Sequence, residues 1–152
     1  SLPIIGGFVK GGLTQGAKES AAVRRVLDMV QVEARALYTP CKDFSGGNQQ
    51  KIVLAKWLLA ESRVLLLYDP TRGVDVGTKA EIYQLIRAYT DAGGAVLLYS
   101  TDVPELVNLC DDVLVIYRGR EAARLEKAEL SEANIMRAAL GNSGSASGEN
   151  AA

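Results

Sequence analysis

Apolar residues form two kinds of pattern along the chain, a helical period and short continuous runs. A helical period of three to four residues predicts a helix over about residues 18–32 and another over about residues 48–61. The second has only a narrow polar stripe, so it is predicted to be largely buried. The continuous apolar run Val64–Tyr68 is typical of a strand that is buried on both faces of a parallel sheet.

The second half of the chain continues this alternation. Thr78 is predicted to cap a helix that ends near Asp91, with Glu81 in the capping-box position, and Ala95–Tyr99 is predicted to be a second buried strand. The remaining predictions are a helix over 104–109, a strand over 113–117, an edge segment over 122–125 and a helix over 131–140 that Ser131 caps. This alternation indicates an α/β fold with a mostly parallel sheet.

The two ends of the chain lack such periodicity. Residues 1–16 are glycine-rich and are expected to be irregular, and residues 142–152 contain little that could be buried. A tail of Gly, Ser, Asn and Ala cannot offset the entropy of ordering, so we expect disorder there.

Composition excludes several classes of function. The 152 residues are 48% apolar and 23% charged, as in ordinary globular proteins, and the net charge of −1 gives no global attraction for nucleic acid. No apolar run reaches the ~20 residues that span a bilayer. Histidine is absent, which excludes histidine-based triads and most zinc sites. Cys41 and Cys110 form no CxxC pair and are expected to be reduced, buried or half-exposed thiols.

The segment Phe44–Lys51, with the sequence Phe-Ser-Gly-Gly-Asn-Gln-Gln-Lys, leads into the second predicted helix. Its glycines permit close backbone approaches, and the helix behind them presents unpaired N–H groups that favour a phosphate. Ser45 can add a hydroxyl donor. A Ser-capped helix after a glycine turn explains Ser-Gly-Gly alone, but the full octet before an apolar helix is more specific.

Two further segments follow the octet in a fixed order. Val64–Thr71 is an apolar run that ends in Tyr-Asp-Pro-Thr, and Arg72–Gly77 reads Arg-Gly-Val-Asp-Val-Gly. Together the three segments resemble the signature, Walker B segment and D-loop of ABC transporter ATPases, in the branch that imports ribose- or xylose-type monosaccharides. The resemblance extends to about Leu140 and is strongest to the C-terminal part of the second nucleotide-binding domain in such proteins.

The resemblance implies a P-loop NTPase-like fold without the Walker A strand and loop. Residues 1–43 would be the end of a helical subdomain, residues 44–140 the C-terminal part of the nucleotide-binding domain, and residues 141–152 a tail. No G-x-x-x-x-G-K-[S/T] loop occurs in the chain, which begins at Ser1 without an initiator methionine. We therefore expect the phosphate-binding loop to lie upstream in a longer protein.

In this family two nucleotide-binding domains pair head to tail around ATP and Mg²⁺. The resemblance makes Asp69 the candidate catalytic residue, because it stands where the family has the glutamate that positions water. The candidate ATP contacts are Ser45, Gly46, Gly47, Asn48, Gln49, Asp75 and Thr101. The signature is expected to contact the γ-phosphate of ATP that a partner domain holds. No metal ligand is assigned, since ATP and Mg²⁺ would be bound largely outside this chain.

The chain departs from the family pattern at three positions. Tyr68 stands where the family has the aspartate that helps to hold Mg²⁺, and Thr101 stands where many members have the switch histidine. Asp69 is shorter than glutamate, so its carboxylate would lie ~1.5 Å short, and such errors reduce rates strongly. Structural alternatives are strand-end packing for Tyr68, a turn before Pro70 for Asp69, and a cap for the helix at Pro104 for Thr101.

The expected function is that of the ATP-binding subunit of a sugar importer, active as an ATPase only in the intact subunit. The expected partners are a second nucleotide-binding domain, membrane permease subunits and, indirectly, a solute-binding protein, which would place the subunit on the cytoplasmic side of the plasma membrane. A non-hydrolytic module for nucleotide-gated dimerisation is the alternative. A DNA-repair ATPase with a Ser-Gly-Gly signature would need long heptad segments, and none is visible.

Overall fold

The computed structural model describes residues 2–10 and 13–141. Residues 142–152, for which we expect disorder, therefore lie outside the described residues. The chain divides into two compact units, one up to Tyr99 and one from Ser100 onward.

The first unit carries the longer helices and the parallel strands. Its elements are β1 (Val9–Lys10), β2 (Leu13–Thr14), α1 (Gly16–Met29), α2 (Gly46–Leu58), β3 (Val64–Tyr68), α3 (Val76–Asp91) and β4 (Ala95–Tyr99). Short 3₁₀ helices occupy Leu2–Phe8, Ala34–Leu37 and Cys41–Asp43. The prediction that residues 1–16 are irregular is wrong, because a 3₁₀ helix and the antiparallel pair β1–β2 form there. The predicted helices are confirmed, and each begins two residues earlier than expected.

The second unit is built around an antiparallel pair of strands. Its elements are α4 (Val103–Leu109), β5 (Asp112–Tyr117), β6 (Arg120–Glu126), a 3₁₀ helix (Lys127–Glu129) and α5 (Glu132–Ala139). Arg118 and Gly119, both at positive φ, form the two-residue turn between β5 and β6. Ser131 caps α5 as predicted, since its Oγ accepts a hydrogen bond from the Asn134 N–H at 3.2 Å.

The α/β class is confirmed, and β3 pairs with β4 in parallel over all five residues of each strand. The strand predicted at 113–117 does not extend that parallel sheet within the described residues, because β5 pairs antiparallel with β6. The two-residue turn dictates this pairing, since parallel neighbours need a long crossover connection. Among the described strands, the only parallel pair is β3–β4.

The parallel pair β3–β4 is covered on one face only. Leu65 and Leu67 are buried on the same face, and Leu65 lines a small cavity with residues of helices α2 and α3, namely Leu54, Leu58, Leu85, Ile86 and Tyr89. Val64, Leu66 and Tyr68 point to the opposite side and are exposed. The prediction of burial on both faces is therefore wrong for the described chain, which supplies no layer for that side.

Helix α2 is likewise less buried than its composition suggests. Leu54 and Ala55 are buried, and Ala55 packs with Val26, Val30 and Phe44 in the core between α1 and α2. Val53 and Trp57 remain exposed on the other side of the helix. This packing fixes α2 against α1 and against β3, and so fixes the position of its N-terminal turn.

Candidate functional site

Ser45 caps the N-terminus of α2. Its Oγ accepts a hydrogen bond from the Asn48 N–H at 3.4 Å, and its own extended backbone (φ −58, ψ 155) is that of an N-cap residue. The Gln49 side chain donates from Nε2 to the Phe44 carbonyl at 2.8 Å, which closes the turn before the helix. Ser45 is exposed, so its hydroxyl is open to a ligand, whereas the Gln49 amide nitrogen is already used within the turn.

The two glycines of this turn have different surroundings. A Cβ on Gly46 would meet nothing within 4 Å, and the residue is exposed. A Cβ on Gly47 would lie 2.7 Å from both Cγ2 and Oγ1 of Thr78. Gly46 therefore leaves an open approach to the first turn of α2, while Gly47 permits close packing between the beginnings of α2 and α3.

Asp75 caps α3 and lies beside the beginning of α2. Its Oδ1 accepts from the Thr78 N–H at 3.0 Å, and its Oδ2 accepts from the Thr78 hydroxyl at 2.7 Å. These two hydrogen bonds from Thr78 lower the pKa of the exposed Asp75 carboxyl below its ordinary value of 3.8. The prediction that Thr78 is the N-cap is wrong, because the helix begins at Val76 and Thr78 is the donor to the cap.

Lys51 and Glu81 join α2 to α3 beside these caps. Lys51 Nζ lies 2.8 Å from Glu81 Oε2 and also donates to the Gln31 carbonyl at 3.4 Å. The Lys51 side chain is only 6% exposed, whereas that of Glu81 is 40% exposed. Glu81 therefore binds Lys51 instead of forming the predicted capping box. Sequence reasoning missed this pair, because nothing in the spacing of residues 51 and 81 indicates a contact.

Tyr68 packs on Tyr99 at the carboxyl ends of β3 and β4. Their ring centroids are 4.5 Å apart and their planes differ by 7°, so the two rings are stacked. Charge repulsion from Tyr68 is the main cause of a raised pKa of Tyr99, and desolvation and the Asp69 carboxylate add to it. This stacking is the contact expected from the structural alternative for Tyr68, packing at the strand end, and the side chain stays 72% exposed.

Asp69 lies on the opposite side of the strand from Tyr68 and is buried. Its N–H donates to the Tyr99 carbonyl at 2.8 Å, and its carbonyl accepts from the Arg72 N–H at 3.1 Å, so it opens the turn that contains Pro70. Its φ of +43 lies in the left-handed region, which aspartate tolerates better than most residues. The turn expected before Pro70 is therefore present, and the same geometry holds the carboxylate at the strand end.

Thr101 belongs to the second unit and is exposed. The Ser100 hydroxyl accepts from the Asp102 N–H at 2.9 Å, and Asp102 caps α4 by accepting from the Glu105 N–H at 3.4 Å. The cap predicted from Ser100-Thr101 thus belongs to Asp102. The structure brings together Ser45, Gly46, Gly47 and Asp75 at the adjoining helix termini of the first unit.

The donor groups differ in how well they suit phosphate and Mg²⁺. An open glycine, a serine hydroxyl and helix N–H groups fit a phosphate at the start of α2. In the residues 2–10 and 13–141, no three Cys, Asp or Glu side chains are grouped to hold a metal ion. At the end of β3, Tyr68 offers a stacked phenol and not a carboxylate, the group that Mg²⁺ prefers.

Cys41 and Cys110 are free thiols, Cys41 exposed and Cys110 half-buried. Burial, followed by the charges of Asp111 and Glu105, raises the pKa of Cys110. No helix in the described part of the chain has the length and apolar character to cross a membrane.

Sequence comparison finds close similarity to ATP-binding proteins of sugar import. The ribose import ATP-binding protein RbsA 1 of Mesorhizobium japonicum is 46% identical over 131 residues, which is 86% of this chain and 25% of that protein. The protein of the same name from Rhizobium johnstonii is 48% identical over 133 residues, 85% of this chain and 26% of that protein. The chain thus spans about a quarter of the relatives' length. No protein-family model matches.

Solved structures show the same fold. An ATP-binding cassette in a dimeric post-hydrolysis state with ADP and phosphate matches with a TM-score of 0.67 at 21% identity, over 78% of this chain and 51% of that chain. The cbiO1 protein of Clostridium perfringens, part of an ABC transporter complex, matches with a TM-score of 0.66 at 25% identity, over 81% of this chain and 49% of its own. In both cases about half of the solved cassette has no counterpart here.

Proposed function

Since the chain is part of an ABC ATP-binding cassette and its relatives include ribose import ATP-binding proteins, we propose that it belongs to the ATP-hydrolysing subunit of a sugar importer. The intact subunit would couple ATP binding and hydrolysis to uptake of a monosaccharide. The chain would contribute the C-terminal part of the second nucleotide-binding domain, with the signature and the D-loop.

The observation that carries the proposal is the open first turn of α2. Ser45 is exposed and caps α2, nothing crowds the Cβ position of Gly46, and the 13-residue helix behind them is fixed by its packed core. The first N–H groups of a helix have no acceptor within the helix, and together with the helix dipole they favour a phosphate. Gly47 and Thr78 hold Asp75 beside this turn.

ATP, when bound by a partner domain, supplies the phosphate chain that this turn would contact. Ser45 would donate its hydroxyl to the γ-phosphate, and Gly46 would let its backbone approach the phosphate oxygens closely. Asn48 and Gln49 would support the turn, since Gln49 holds the Phe44 carbonyl. Asp75 would face the partner across the D-loop. These residues would orient the phosphate groups of an ATP molecule that the partner domain binds, and none of them needs to carry a proton.

The two ATP sites of the intact subunit would then be unequal. The site that uses this signature would hydrolyse ATP, because it takes its Walker A and catalytic carboxylate from the partner. The site that uses Tyr68, Asp69 and Thr101 would be weak or inert. The stacked Tyr68 ring supports this, because phosphoryl transfer depends on Mg²⁺ and a positioned water.

ATPase activity of the intact subunit tests this assignment. Ser45→Arg should abolish turnover, because a long cationic side chain would fill the open turn. Asp69→Asn should leave turnover largely unchanged, and asparagine is chosen because it also tolerates the left-handed backbone at this position. Ser131→Ala is a matched control, since it removes a serine N-cap from α5 outside the site.

The reverse result would contradict the proposal. If Asp69→Asn abolished turnover while Ser45→Arg left it intact, the active site would be the one formed by this chain's own Walker B segment. Loss of activity in Ser131→Ala as well would point to destabilisation of the cassette instead of a local effect.

The remaining partners follow from the importer assignment. We propose a second nucleotide-binding domain in a head-to-tail pair, permease subunits that hold the subunit at the cytoplasmic face of the membrane, and indirectly a solute-binding protein. ATP and Mg²⁺ would be the cofactors, bound mainly outside these 152 residues. Pull-down of the permease by the intact subunit would test the assembly. The subunit should also be lost from membranes of a strain that lacks the permease.

The 152-residue chain by itself should neither bind nor hydrolyse ATP appreciably, because it contains no Walker A loop. Equilibrium dialysis with radiolabelled ATP, with and without Mg²⁺, measures this directly. Tight Mg²⁺-dependent binding by the purified chain would overturn the expectation.

A further inference from the structure

Lys51 is a buried cation that the proposed phosphate contacts do not use. Its side chain is only 6% exposed, and its Nζ lies 2.8 Å from Oε2 of Glu81 on α3. The same Nζ donates to the Gln31 carbonyl at 3.4 Å. Gln31 lies in the turn after α1, with its backbone in the left-handed region (φ +54). One ammonium group therefore joins three elements, which are the turn after α1, helix α2 and helix α3.

This ion pair is the second of two contacts between the same faces of α2 and α3. On α2, Gly47 lies four residues before Lys51, and residues at this spacing share one helix face. On α3, Thr78 lies three residues before Glu81, which also places both on one face. A Cβ on Gly47 would lie only 2.7 Å from side-chain atoms of Thr78, so the first contact is tight. Because a helix rises about 1.5 Å per residue, the two contacts are roughly 4–6 Å apart along the helices, and together they restrict both sliding and rotation.

Stability alone does not account for an ion pair at this place. Taking an ammonium group out of water has a large free-energy cost, and an apolar side chain of similar volume often packs equally well. Lys51→Met would fill the space of the lysine stem without that cost. The ion pair differs from such packing in being directional, because an ammonium and a carboxylate attract each other best at one relative placement of the two helices.

We propose that Lys51 is a positioning residue whose ion pair with Glu81 sets the first turn of α2 relative to the start of α3. The inference rests on the proposed function, in which Ser45 and Gly46 meet a phosphate that the partner domain holds. The two helix caps, Ser45 on α2 and Asp75 on α3, lie at the N-termini that the ion pair aligns. Such contacts must be placed to within ~0.5 Å, and errors near 1 Å can reduce a rate ~100-fold. Lys51 acts through the turn and does not itself contact ATP.

Steady-state ATPase kinetics of the intact subunit test this role. Lys51→Met removes the cation and keeps the side-chain volume, and the double variant Lys51→Met/Glu81→Gln removes both charges. Both variants should keep a urea midpoint close to that of the parent and lose at least ~10-fold in kcat. The KM for ATP should change less than ~2-fold, because the partner domain holds ATP before the first turn of α2 meets it. Arg124→Met is the matched control, since it removes a cation from the ion pair with Asp112 in the second unit and should change neither constant.

A parent kcat in Lys51→Met or in the double variant would overturn the proposal. A lower kcat that only accompanies a lower urea midpoint would also overturn it, because Lys51 would then act through stability. So would a raised KM with an unchanged kcat, which would place the effect on the first binding of ATP. The proposed function fails separately, if Ser45→Arg leaves turnover intact. If Ser45→Arg abolishes turnover and Lys51→Met does not reduce it, only the positioning role has failed.

Discussion

Lys51 Nζ lies 2.8 Å from Glu81 Oε2, and this contact joins helix α2 to helix α3 near their N-termini. Lys51 is nearly enclosed, whereas Glu81 is partly open to solvent. Beside the pair, Gly47 and Thr78 pack so closely that a Cβ on Gly47 would overlap the threonine side chain. The two helix N-termini are therefore fixed relative to each other.

The unequal burial of Lys51 and Glu81 predicts unequal effects of removing them. Glu81→Ala leaves an enclosed ammonium whose remaining acceptor, among the residues that the structure describes, is the Gln31 carbonyl, and should cost about 2–4 kcal/mol. Lys51→Met leaves a carboxylate that water can reach, and the new side chain fills the space, so the cost should be about 0–1 kcal/mol. Urea unfolding followed by the fluorescence of Trp57, the single tryptophan, measures both. Equal losses would contradict the asymmetry.

Gly47→Ala should destabilise the chain by about 1–3 kcal/mol, because its new methyl group would overlap Thr78. Thr78→Ala removes both of the atoms that lie 2.7 Å away, so the double variant should be more stable than the sum of the single effects predicts. A double-mutant cycle in urea should give a coupling of about 1 kcal/mol. Strict additivity would indicate that the glycine is needed for another reason.

Gly46→Ala should lower the ATPase activity of the intact subunit without lowering the stability of the fold. Its Cβ position is open, so the free energy of unfolding should change by less than about 0.5 kcal/mol. The same methyl group would obstruct the phosphate approach, so ATPase activity of the intact subunit should fall at least ~10-fold. Gly47→Ala is the comparison, since there both quantities should decrease. Full activity in Gly46→Ala would contradict a close phosphate contact at this residue.

Asp75 should make stability depend on pH in the acid range. Hydrogen bonds from Thr78 hold its folded-state pKa below 3.8, so the ionised carboxylate stabilises the fold above the unfolded-state pKa. That contribution is lost as the pH falls through the lowered pKa. Thermal unfolding between pH ~5 and ~2 should therefore decline less steeply in Asp75→Asn than in the parent chain. Identical slopes would show that the carboxylate does not act as a charged cap.

Local features of the fold were predictable from the sequence. Apolar periodicity located helices α1 to α3 within a few residues, because each buries one side against a core, and continuous apolar runs located strands β3 and β4. Ser45 was identified as a possible cap and Asp69 as a possible turn residue, since such roles depend on a few consecutive residues. The octet and the segments after it also indicated the family, because residue order alone carries that resemblance.

Contacts between distant segments were decided only by the tertiary structure. The ion pair of Lys51 with Glu81 and the contact of Gly47 with Thr78 each join residues about thirty positions apart, and no local pattern specifies them. The exposure of Leu66 and Tyr68 was also unpredictable, because an apolar strand reads the same whether or not its second layer is present. Sequence determines which side chains must be covered; the packing of the chain determines which of them are.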